Sequence, residues 1–121
     1  MSTVLVSDNA LVDKQYWQVA GPADEGTLMT FAADPRKNPA AAQVVRAFTA
    51  DGYDPAGYTL YTYAAVQAFA EVAGKAASTE SAAVAGALRA GMFQTVLGPL
   101  GFDAKGDVQG PSFVMYRWHD G

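Results

Sequence analysis

The residues able to do chemistry are few and scattered. Lys105 and Gly106, in "GFDAKGDVQG", come nearest to a phosphate-binding loop. Such a loop reads Gly-x-x-x-x-Gly-Lys-Ser/Thr between a strand and a helix, so that backbone amides cradle the phosphates. Here the lysine precedes the glycine, Asp107 stands where a hydroxyl is needed, and the following "SFVMYRW" is strand-like. Asp103 to Gly106 reads instead as a type I turn, with Asp103 accepting from the backbone two residues on and Gly106 free to take positive φ. His119 is the only histidine. Without a second ligand beside it, it reads as a solvated side chain rather than a metal or catalytic group. No H-E-x-x-H pattern, dinucleotide loop, nucleophile–base pair or carboxylate pair at useful spacing is present, so no enzyme, metal site or cofactor is expected. What remains is Asp8–Asn9 in "VSDNAL", directly after an apolar run. In open parallel sheets, ligands sit at the carboxyl ends of strands, which makes this pair a candidate contact. The plainer alternative is that the two residues only shape the turn.

These residues need a frame. The chain has 121 residues, half of them apolar, enough for one ordinary domain. Eight basic against 12 acidic residues give a net charge of −4, which disfavours phosphate backbones and therefore nucleic acid. The absence of cysteine excludes disulfides and thiolate metal sites. The start, "MSTVLVSDNALV", has neither a basic n-region nor a long apolar core, so it does not read as an export signal. No apolar run approaches the ~18 residues of a membrane span, and no membrane insertion is expected.

The pattern along the chain predicts a buried strand over 3–6 and a short helix over 13–20 capped by Asp13. A second strand follows in "GTLMTFAA". Pro39 suits the first turn of the next helix, with Asn38 as its cap and Asp51-Gly52 as its stop. A long helix is expected over 58–77, its apolar stripe at Tyr63, Val66, Ala70 and Ala73. Ser78 or Thr79 would cap the next, with a stripe at Val84, Leu88 and Met92. Two strands, near 95–102 and 113–118, would close the chain as a hairpin about the Asp103–Gly106 turn. Trp17 and Trp118 read as packing anchors. The class is α/β, with a βαβ front and an incomplete parallel sheet. The strands at 3–7 and 26–33 are too apolar for exposed edges, which suggests part of something larger, or an oligomer.

Three blocks in order carry a resemblance. "DEGTLMTFAADPRKNPAAAQVVRAF", "GYDPAGYTLYTYAAVQAFAEVAGKA" and "TVLGPLGFDAKGDVQGPSFVMYRW" resemble the C-terminal third of the branched-chain amino acid binding proteins. These are the periplasmic solute-binding subunits of ABC importers, with the type I binding-protein fold. The resemblance implies two α/β lobes that close on a ligand. Residues 1–55 would belong to lobe two, the helices of 56–93 to lobe one, and 94–121 would return to lobe two as a closing hairpin.

The resemblance also implies roles. An acidic residue in the loop after the first strand takes the ligand's ammonium group in the family, and spacing puts that position at Asn9, beside Asp8. A neutral amide weakens ammonium binding in a dry cleft. Either Asp8 swings in and an amino acid is kept, or a ligand without an α-ammonium is favoured. Tyr58 matches an aromatic that walls the side-chain pocket, suited to a mostly apolar cleft; its plain alternative is a helix-start residue packed on its neighbours. The implied partners are an amino acid or small organic acid and an ABC permease, in the periplasm, with self-association of the partial chain. Two other implied readings are a dimerising ligand-sensing or interaction module built from part of the same fold, and an amidase-regulator or receptor ligand domain.

Overall fold

A computed structural model describes residues 3–110 and 113–121. The chain forms two compact units. One holds the described residues through Ala33 together with Phe113 onward; the other runs from Asp34 to Gly110. These boundaries do not coincide with the expected divisions at 55/56 and 93/94.

In the first unit, strand β1 (Val6–Ser7) runs parallel to β2 (Leu28–Ala32), with Val6 opposite Leu28. Helix α1 (Lys14–Ala20) lies between them in sequence, so the expected βαβ order forms. Asp13 caps α1, its carboxylate accepting from the Gln15 amide at 2.8 Å. Strand β6 (Phe113–Arg117) pairs antiparallel on the other side of β2, with Ala32 opposite Phe113. Met29 and Phe31 point to the buried face of β2. Trp118 anchors the unit: its ring stacks on Trp17 with centroids 5.9 Å apart, and Nε1 donates to the Leu11 carbonyl. The expectation of a buried first strand is corrected. Val4, Leu5 and Val6 are all more than half exposed, because β1 is a two-residue edge strand.

In the second unit, a 3₁₀ turn at Pro39–Ala41 leads into α2 (Ala42–Ala50), and the Asn38 side chain accepts from the Ala40 amide. Helices α3 (Thr59–Ala76) and α4 (Ser81–Ala90) follow. Strands β3 (Met92–Thr95), β4 (Gly98–Phe102) and β5 (Val108–Gln109) make an antiparallel meander. Two apolar clusters fill the unit. Leu60 and Ala64 meet Ala41 and Val96, while Ala68 and Val72 meet Val84, Phe93 and Leu100. The buried stripe of α3 is therefore 60, 64, 68 and 72, not 63, 66, 70 and 73. This helix is apolar on most sides, so periodicity offered several stripes and the strands it packs on chose one. On α4, Val84 is buried and Leu88 packs against the same cluster, but Met92 has left the helix for β3 and is exposed. Gly91, between α4 and β3, has no room for a side chain: a Cβ there would run into the Phe93 ring.

The Asp103 turn forms as expected. One carboxylate oxygen of Asp103 accepts from the amides of Lys105, Gly106 and Asp107, each at 2.9 Å, and Gly106 takes φ +99°. It joins β4 to β5, however. The strand at 113–117, expected to complete that hairpin, pairs with β2 instead. Turn chemistry is local and legible, whereas a strand's partner is a long-range choice.

Candidate functional site

Asp8 and Asn9 lie where expected, at the carboxyl end of β1. Asp8 caps a 3₁₀ turn spanning Asn9–Val12, and its Oδ1 accepts from the Ala10 amide at 3.0 Å. Asp8 is exposed and Asn9 half-buried. The turn-shaping role is thus real for Asp8. It commits one carboxylate oxygen to the backbone.

The same unit holds polar groups that the sequence did not single out. The Tyr16 hydroxyl donates to Asp24 Oδ1 at 2.8 Å and lies 3.3 Å from Thr27 Oγ1. Asp24 and Thr27 are buried, and Asp24 Oδ2 has no hydrogen-bond partner among the described residues. The Thr27 bond pulls the Tyr16 phenol down. Desolvation, the bond to Asp24 and the negative charge of Asp24 outweigh it, so the phenol sits above its ordinary value. Near the C-terminus, His119 Nδ1 lies 2.7 Å from Glu25 Oε1, and the Asp120 amide donates to Glu25 Oε2 at 3.1 Å. His119 is exposed, as expected, but it is paired rather than merely solvated. The Glu25 hydrogen bond raises its pKa, and the same bond lowers that of Glu25. Proximity of Glu25 to His119 across 94 residues, and of Tyr16 to Asp24 across a turn, leaves no mark in local sequence.

Tyr58 belongs to the second unit. It is the residue before α3, about half exposed, and its carbonyl accepts from the Thr62 amide. The segment that delivers it is firmly held. Pro55 is fully buried, the Tyr53 hydroxyl lies 3.1 Å from Thr59 Oγ1, and Arg36 grips Asp54. Elsewhere in this unit an open groove of about 610 Å³ runs over α2, α3 and the β3–β4 turn. Gln43, Phe48, Tyr63 and Gln67 line it, and Asp51 is the one charged side chain in its lining. Gln67 is already used there, its Oε1 accepting from the Val96 amide.

No family model matches the chain. Individual relatives do. It is 47% identical over 117 residues to "Leu/Ile/Val-binding protein homolog 1" of Brucella suis, covering 96% of this chain and 32% of that protein. It is 39% identical over 117 residues to an "Amino acid binding protein" of Pseudomonas aeruginosa, covering 95% of this chain and 31% of the relative. Among solved structures, a leucine-binding protein from Thermotoga maritima superposes with a TM-score of 0.84 at 20% identity, over 99% of this chain and 35% of its own. An ABC transporter substrate-binding protein from Desulfitobacterium hafniense, in complex with Leu, gives 0.70 at 25% identity, over 99% and 34%. The chain spans about a third of the length of each of these proteins. It is a relative of the Leu/Ile/Val-binding proteins across nearly its whole length, and its fold is that of the corresponding third of a type I periplasmic binding protein.

Proposed function

We propose that this chain is the C-terminal part of a two-lobed solute-binding protein that captures branched-chain amino acids, or related small acids, for an ABC importer. The observation that carries this reading is the 47% identity, maintained across 96% of the chain, to a Leu/Ile/Val-binding protein homologue. In this reading the whole protein works in the periplasm and presents its ligand to a membrane permease. That whole protein binds its ligand and does not catalyse. We assign the residues through Ala33 and from Phe113 onward to one lobe and Asp34–Gly110 to the other, following the compact units. Asp8 and Asn9 contribute polar contacts from the end of β1, consistent with the strand-end rule. Tyr58 contributes an apolar wall for the ligand's side chain, for which its half-exposed ring at the start of α3 is suited.

The test is calorimetric titration of two proteins with leucine, isoleucine and valine. The 121-residue chain alone is expected to give no saturable heat. A chimera placing it behind the first two-thirds of the Brucella suis relative is expected to bind. A folded chimera that ignores all three amino acids overturns the reading.

A second reading, a dimerising ligand-sensing module, is favoured by one observation. The first unit exposes apolar strand residues at both sheet edges, Val6 at 59% and Phe113 at 65% among them. Gene neighbours separate the two: permease and ATPase genes beside this one support transport.

A further inference from the structure

Arg36 uses every nitrogen of its guanidinium. Nε donates to Asp34 Oδ1 and Oδ2 at 2.9 and 3.2 Å, and Nη2 to Asp34 Oδ2 at 2.9 Å. Nη1 reaches the opposite way, to Asp54 Oδ1 and Oδ2 at 2.9 and 3.2 Å. The base of this fork is fixed. Asp34 also accepts from the Arg36 amide at 3.0 Å, Pro35 is buried, and the 3₁₀ turn Pro35–Lys37 closes beneath them. Its far end holds Asp54, four residues before Tyr58. From there the turn is continuous: the Ala56 amide donates to the Asp54 carbonyl, the Thr59 amide to Ala56, and the Thr62 amide to Tyr58. Gly57 takes φ +58° within it. A planar fork can grip two carboxylates at once; an ammonium on a flexible stem cannot hold both in fixed register.

We propose that Arg36 is a positioning residue for ligand side-chain recognition: by clamping Asp34 to Asp54 it sets the Asp54–Gly57 turn and so the place from which Tyr58 meets the ligand. The inference rests on the reading of Tyr58 as a pocket wall. Arg36 itself touches no ligand. Because the fork is partly exposed, its effect is modest and weakens with salt.

Two measurements test it. In the chain alone, Arg36→Gln is expected to speed amide hydrogen exchange at Ala56, Thr59 and Thr62 about fivefold, leaving Val84 in α4 unchanged. In the chimera, Arg36→Gln is expected to weaken leucine binding about fivefold and to reduce the preference for leucine over alanine. Arg36→Lys should recover only part of this. Asp54→Asn should reproduce it, and the double variant should be no worse than either single one. Faster exchange with unchanged leucine affinity and preference makes Arg36 merely structural and overturns the proposal. Unchanged exchange overturns it as well. Tyr58→Leu separates the two failures. If Tyr58→Leu weakens binding and Arg36→Gln does not, only the positioning inference falls. If Tyr58→Leu changes nothing, the reading of Tyr58 falls and takes the inference with it.

Discussion

A single oxygen of Asp103 holds three backbone amides. Its replacement by alanine strands those donors, and we expect a loss of ~1–2 kcal/mol in urea unfolding; an unchanged midpoint would refute the role given to it. Asp8 makes one such bond. If its task is only to cap the turn, Asp8→Ala lowers stability by ~1 kcal/mol and leaves leucine affinity in the chimera untouched; if it also meets the ammonium, affinity falls with stability. Asn9→Asp supplies a full negative charge at the neighbouring position and is expected to tighten leucine binding by about tenfold. The contact between His119 and Glu25 is a matter of pH. The His119 pKa is raised above its ordinary 6.5, so its contribution is fully present below that value and lost as pH rises through the folded pKa. The Glu25 pKa is lowered, so its contribution is present above its ordinary 4.5 and lost as pH falls through the folded pKa. The pair is strongest in the mildly acidic window where both are charged. An NMR titration of the His119 ring should show a raised pKa that drops in Glu25→Gln; no drop would break the assignment. The Asp8 cap and the Asp103 turn were legible because their chemistry is complete within a few residues. The Tyr16–Asp24–Thr27 group was not, because nothing local distinguishes an aspartate that becomes buried from one that stays wet.

Capping residues place a helix along the chain but do not choose the face that it buries. Helix α1 starts after Asp13 and the helical region of α2 after Asn38, as their capping residues dictate. Helix α3 spans nearly the predicted length. Its buried face follows Leu60 rather than the predicted Tyr63 stripe, because alanines and aromatics lie all round the helix and periodicity alone leaves several faces equivalent. Leu60 is fully buried, and Leu60→Ala should cost ~2–4 kcal/mol, whereas Val66→Ser, on the exposed side, should cost little. The reverse order in thermal unfolding would restore the first stripe. The end of α3 carries a cost of its own. Ala77 closes it in the left-handed region, at φ +48°, where a Cβ is disfavoured. Ala77→Gly is expected to stabilise the chain by about 0.5–1 kcal/mol, measured by urea unfolding; destabilisation would contradict the cap geometry.

For the molecule as a whole, the apolar strands raise the question of what covers them. Val4, Leu5, Phe113 and Met115 are each more than half exposed. Such residues gathered on the edges of a three-stranded sheet favour association. We expect light scattering of the isolated chain to show mass rising with concentration, and the Met115→Glu variant to reduce that rise; a strictly monomeric mass at high concentration would count against it. By itself the sequence determined the α/β class, the βαβ front, the capped starts of α1 and of the 3₁₀ turn that leads into α2, the Asp103 turn and the kinship with branched-chain amino acid binding proteins. All of these rest on short-range signals: backbone geometry, capping and matched local blocks. Tertiary structure alone decided which face of α3 is buried, that β6 joins β2 rather than β4, that Glu25 meets His119, and that Arg36 spans Asp34 and Asp54. Those outcomes depend on contacts between residues distant in sequence, where competing pairings are locally equivalent and only the packed whole selects one.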